Sequence, residues 1–210
     1  MYTMEILVLA RSVHARLSRG LPGIPIVILL SSLSAIAPQA QSGAAPQFTS
    51  DGQLVRPDNY REWVYVSSGL GMTYSAAQTG GNAAVGDRFD NVFVTPQAYQ
   101  AFLKTGGWPD KTMFILEVRE SAIQGSINRG GRYQGAVVAL EAHVKDEARF
   151  PNRWGFFELG VSARTAKPLP PNSNCQTCHA MHGAVDDTFV QFYPTLLPVA
   201  QVKGTLKTDK

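Results

Sequence analysis

The sequence predicts an α+β domain that is mainly β: an antiparallel sheet with a few short helices and a helix near the C-terminus carrying the chain's two cysteines. Three observations predict it. Strand-type runs at Phe89 to Val94, Thr112 to Arg119, Gln134 to Val144 and Arg153 to Leu159 are rich in β-branched and aromatic residues and separated by Gly, Asn and Pro turns. Only one short helical pattern interrupts them, from Gln97 to Lys104. Pro168, Pro170 and Pro171 then end the β region with an extended approach to a helical segment at Cys175.

The elements follow in order. Arg11, Arg16 and Arg19 precede an apolar run from Ile24 to Ile36 and the small residues Ala37 to Ala40, the order of a secretory signal peptide. The run of about thirteen residues is short for a bilayer span. A cut after Ala37 leaves Pro38 directly behind it, while a cut after Ala40 has Pro38 three positions upstream; a retained anchor is the alternative. Either way the following domain is expected to be exported, in a bacterium to the periplasm. Excluding residues 1–40 leaves 170, enough for one domain with a real core. Within it, residues 41–59 read as a flexible lead-in and 60–210 as the folded domain.

Charge excludes one class of partner. The whole chain carries a formal +3, but removing the three leader arginines and Glu5 leaves 16 basic and 15 acidic residues. No basic stripe with interleaved aromatics remains, and nucleic acid is not an expected partner.

Tyr60 to Val66 reads as a strand or as a helix running into one, and Gly69, Gly71, Gly80, Gly81 and Gly86 as loop. Pro96 suits the first helical turn, with Thr95 as a possible N-cap and Gly106 and Gly107 at the C-terminal end. Thr112 to Arg119 is the strongest strand, and Gly125 to Gly135 a hairpin connection. In the following strand Val137, Ala139, Glu141 and His143 share one face by alternation.

Chemistry concentrates in Cys175-Gln176-Thr177-Cys178-His179, a CxxCH motif that uses every cysteine of the chain. Two thiols three positions apart can add across the two vinyl groups of one haem, and the adjoining histidine falls under the iron as axial ligand. A zinc site wants four ligands, a redox CxxC normally opens a helix after a strand, and a disulfide this short would cross-link little chain. The motif therefore points to one haem c per chain.

The ordered set Tyr60-Arg61-Glu62-Trp63, Phe89-Asp90-Asn91-Val92-Phe93-Val94, Ala101-Phe102-Leu103-Lys104-Thr105-Gly106 and Pro109-Asp110, then CxxCH followed by Asp187-Thr188-Phe189-Val190-Gln191-Phe192-Tyr193-Pro194, resembles the cytochrome P-460 and cytochrome c′-beta family. The resemblance spans essentially the whole domain. It implies a homodimeric, sheet-rich periplasmic protein with five-coordinate iron on His179 and the other face open to a small molecule. One branch oxidises hydroxylamine and carries a lysine joined to the porphyrin. The other has an apolar, phenylalanine-capped pocket suited to nitric oxide or carbon monoxide.

The family lysine falls at Leu116, beside Glu117, so the cross-link is expected to be absent; Lys104 and Lys111 are the nearest alternatives, each more simply a solvated charge. Phe114 and Leu116 share a face of their strand and are expected to wall the distal pocket, with Phe89 and Phe93 as further candidates to cap the iron or as sheet-core aromatics. Glu117 points the other way, to the surface or a dimer interface. Arg88 is a candidate propionate or distal contact. His143 as a distal ligand, or Met72, Met113 or Met181, would make the iron six-coordinate; His182 reads as exposed, and Phe189, Phe192 and Tyr193 as packing the haem edge or the core. Nitric oxide or a similar ligand bound at an open iron is the expected function. An oxidoreductase acting on hydroxylamine or peroxide, passing electrons to a soluble cytochrome, is the alternative, and plain electron transfer the third.

Overall fold

The computed structural model describes residues 45–72 and 87–207. The leader, the first residues of the lead-in and the glycines Gly80, Gly81 and Gly86 lie outside the described residues. The strands are β1 (Leu54–Val55), β2 (Val64–Leu70), β3 (Arg88–Val94), β4 (Met113–Ala122), β5 (Tyr133–Lys145), β6 (Trp154–Glu158) and β7 (Thr165–Ala166). The helices are α1 (Pro96–Thr105), α2 (Asn174–His182) and α3 (Leu197–Lys203). Strands β2 to β6 form one antiparallel meander in sequence order, and β1 pairs with β7 in a separate two-stranded sheet.

Tyr60–Glu62 forms a single 3-10 turn that runs into β2. Helix α1 starts at Pro96, and Thr95 makes no side-chain cap there. It ends at Gly106, whose φ of 77° is the left-handed conformation glycine adopts without penalty.

Both faces of the main sheet are covered, and this explains the apolar run Met113 to Leu116 that opens β4. On one face Val94, Phe114 and Phe156 pack against Ala98 and Phe102 of α1 and Leu196 and Ala200 around α3. On the other, Met113, Ile115, Leu140 and Phe157 pack against Leu54, Tyr60 and Trp63. The described part of the 41–59 segment is thus no flexible lead-in. Leu54 is fully buried and paired with Ala166, because an apolar side chain that closes this second core layer orders the backbone carrying it.

Glu117 also differs from expectation. It is buried on the second face, where its carboxylate accepts from Tyr60 Oη at 2.5 Å, Arg61 Nε at 2.8 Å and Arg119 Nε. Burial alone would raise its pKa; the hydrogen bonds from Arg119, Tyr60 and Arg61 outweigh it and hold the carboxyl below the ordinary range. Burial and this carboxylate push the Tyr60 phenol up to about 12. Val137 likewise leaves the face of Glu141 and packs on the second core, because the β4–β5 pairing shifts register between Val118 and Arg119.

Candidate functional site

Helix α2 begins at Ser173, whose side chain accepts from the backbone N–H of Gln176. It carries Cys175, Cys178 and His179 onto one wall of a cavity of about 500 Å³. Neither thiol is in a disulfide. The spacing accounts for the common wall, since residues three and four apart on a helix share a face. Burial, and then the charges of Glu141 and Glu158, push the Cys175 thiol up.

The sheet supplies the opposite wall in two rows. The first is Phe114, His143 and Phe156, adjacent through the β4–β5 and β5–β6 registers. His179 stands against it, its ring centre 4.7 Å from His143 and 4.8 Å from Phe156. The second row, Val92, Leu116 and Glu141, lies two residues along the strands, about 6.6 Å away. Beyond it come Val118 and Asp90, also on the cavity.

The axial candidate is held from behind. Nδ1 of His179 lies 2.9 Å from the carbonyl of Asp187, leaving Nε2 as its other donor atom. Burial lowers the pKa of His179, a shift the Asp187 carbonyl opposes. His143 is buried and held well below its usual pKa, by burial and then by proximity to His179, and its Nε2 has no hydrogen-bond partner. At 4.7 Å the rings of His143 and His179 are packing neighbours, and His143, which the sequence reads first as a half-buried strand histidine and only second as a ligand, is buried.

Phe114 and Leu116 line the cavity. Phe93 does not, because it alternates with Val92 and Val94 onto the second face, where it meets Tyr60 and Tyr65 at 5.7 Å. Phe89 shares its parity. Arg88 has the parity of Asp90 but is exposed at the strand start, outside the cavity wall. Lys104 is exposed at the end of α1. Lys111 is drawn away by Asp146 at 2.5 Å and Asp110 at 3.4 Å. Of the chain's seven lysines all but Lys210 are described, and none of those described lines the cavity. Met113 sits in the second core and Met181 is exposed, while Met72 and Phe189, Phe192 and Tyr193 reach the cavity rim or wall.

Two cavity groups were not singled out by the sequence. Glu141 has a raised pKa, from burial and then from the charges of Glu158 and Asp90. Asp90 is also raised by burial, against the charge of Arg88. Alternation placed Glu141 beside His143; the missing signal was the register that sets Glu141 next to Leu116.

A CxxCH helix facing an apolar cavity in an antiparallel sheet defines the class, a haem-binding cytochrome. The family model Cytochrome P460 matches residues 57–190, and the chain belongs to that family. No curated protein matches the chain at a significant level. The residues present fit a haem. Both thiols and His179 share one wall, and the sheet opposite presents mainly apolar side chains, among them Val92, Phe114, Leu116 and Phe156.

Proposed function

We propose that this is an exported c-type cytochrome, one haem joined through thioethers at Cys175 and Cys178 and ligated by His179, with the second axial position open to small nitrogen compounds such as nitric oxide. The observation that carries it is the largely aliphatic stretch of sheet that faces the CxxCH helix across the cavity. Beyond His143 and His179 the cavity wall presents the aliphatic Val92, Leu116 and Val118, none of which is an iron ligand, with Glu141 and Asp90 set among them and Met72 at the rim. Bound there, the haem supplies an iron that takes up a small ligand and exchanges electrons. The chain's own residues fix His179 through Asp187, exclude water with aliphatic side chains, and offer a shape for a neutral diatomic.

A second reading is favoured by Glu141. Its raised pKa suits a carboxyl that accepts a proton from a protic substrate such as hydroxylamine, the base that an all-apolar wall would lack. No described lysine is within the cavity to modify the porphyrin, so this oxidation would proceed at an ordinary haem c. Periplasmic location, a homodimer and a soluble cytochrome as electron partner belong to the same proposal.

The test is an absorption spectrum of the haem-loaded protein, reduced and then exposed to nitric oxide, beside its intact mass. A high-spin reduced spectrum, a nitric oxide adduct and a mass of chain plus haem are expected. A low-spin reduced spectrum would refute the open position, and turnover of hydroxylamine would move the assignment to the second reading.

A further inference from the structure

The segment after the family match, beyond residue 190, returns to the loop behind His179. Its Lys207 makes three hydrogen bonds there. The backbone N–H donates to Ala184 O at 2.9 Å, and Nζ donates to Ala180 O and to Asp187 Oδ1, each at 3.0 Å. Thr205 Oγ1 anchors the same segment to Gly106 O at 2.7 Å.

The loop needs such anchors. Asp186 and Asp187 have φ values of 45° and 57°, a region that costs an L-residue about 1–2 kcal/mol. Lys145 Nζ at 2.6 Å and Arg153 at 2.9 Å hold Asp186; Lys207 holds Asp187. Gly183 lets the turn close, since a Cβ there would stand 2.6 Å from the Asp187 carbonyl carbon and 2.7 Å from His179 O. Asp187 is the residue whose carbonyl meets His179 Nδ1.

We infer that Lys207 is a positioning residue for the axial histidine: by tying Ala180, Ala184 and Asp187 together it aims the Asp187 carbonyl at His179 Nδ1. A well-aimed carbonyl strengthens the Nδ1–H bond, raises the basicity of the ligating nitrogen and favours ferric over ferrous iron. The inference rests on the axial role proposed for His179.

The test uses the full-length, haem-loaded protein and two readouts, the midpoint potential and the iron–histidine stretching frequency of the ferrous form. Lys207→Met is expected to retain its haem, lower that frequency and raise the potential by an amount equal to about a tenfold change in the ferrous/ferric ratio, 59 mV for one electron. Lys207→Arg, which keeps charged donors, is expected to recover most of the shift, and Lys207→Gln serves where Met does not fold. Lys203→Met removes one charge from the same tail without touching Asp187; loss of positive charge by itself favours ferric iron and lowers the potential slightly. The signs are therefore opposite. A Lys207 variant whose potential stays put or falls like Lys203→Met overturns the inference while leaving the haem assignment standing. A parent protein whose haem is not on His179 overturns both.

Discussion

Each face of the main sheet carries a glutamate taken out of bulk water, and the two are held in opposite ways. On the second face Glu117 accepts hydrogen bonds from Tyr60, Arg61 and Arg119 and is kept ionised. On the cavity face Glu141 has no hydrogen bond or ion pair among the described residues, and its pKa is raised, by burial first and by Glu158 and Asp90 after it. A buried carboxylate that is fully satisfied is part of the architecture, whereas a half-buried one on a cavity wall with its pKa raised is free to take part in chemistry there. Adjacent strands thus show what separates a structural carboxylate from a candidate reactive one.

The largest expected effect breaks the first half of that contrast. Glu117→Ala strips a buried acceptor from two guanidinium groups and a phenol and should cost about 3 kcal/mol, read as a lower urea midpoint with unchanged slope. Glu141→Ala should move the midpoint far less, because no bonded partner is stranded. Equal losses from the two would erase the distinction.

Next in size is the chemical half. If protic nitrogen substrates are oxidised here, Glu141→Gln should lower hydroxylamine turnover about 100-fold, near 2.7 kcal/mol, by removing the proton acceptor while keeping the shape. Nitric oxide affinity should hardly change, since a neutral diatomic gives up no proton. A loss of both would mean that Glu141 shapes the cavity and does not serve as a base.

The same pair predicts opposite pH responses. Glu117 has a folded pKa below its unfolded value of about 4.3, so its contribution is present above that value and is lost as pH falls through the folded one. Glu141 has a raised folded pKa; its contribution is fully present below about 4.3 and is lost as pH rises through the folded value. Urea midpoints across the acid range should therefore show Glu117→Gln flattening the fall toward low pH, while Glu141→Gln removes a loss on raising pH. Matching profiles would contradict the opposite shifts.

The strands and the CxxCH helix were legible because their patterns are local: alternation in Phe89 to Val94 and Thr112 to Arg119, and a three-residue cysteine spacing on a helix. Register was not local. Only the pairing of Val94 with Phe114 and of Leu116 with Glu141 says which side chains of neighbouring strands share the cavity, and a bulge after Val118 moved Val137 to the other face. Burial of Glu117 was hidden for a related reason, since its partners Tyr60 and Arg61 lie more than fifty residues upstream. Two-residue strands such as β1 and β7 carry too little pattern to be read at all, and α3 is a seven-residue helix opening on a leucine and a proline.

The smallest effects sharpen the comparison through apolar residues one position apart in sequence and a full sheet thickness apart in space. Phe93 points at Tyr60 and Tyr65, whereas Val92 pairs with Leu116 on the cavity face. Phe93→Leu should cost stability, about 1 kcal/mol for a partly buried aromatic trimmed to an aliphatic side chain, and leave carbon monoxide and nitric oxide binding as it was. Leu116→Phe should do the reverse, keeping the fold nearly as stable while slowing ligand entry or release by about tenfold, since added bulk on that wall must be accommodated inside the cavity. Flash photolysis of the carbon monoxide adduct separates the two: a changed rebinding rate for Phe93→Leu with none for Leu116→Phe would put the ligand on the wrong side of the sheet, and with it every assignment that rests on Glu141.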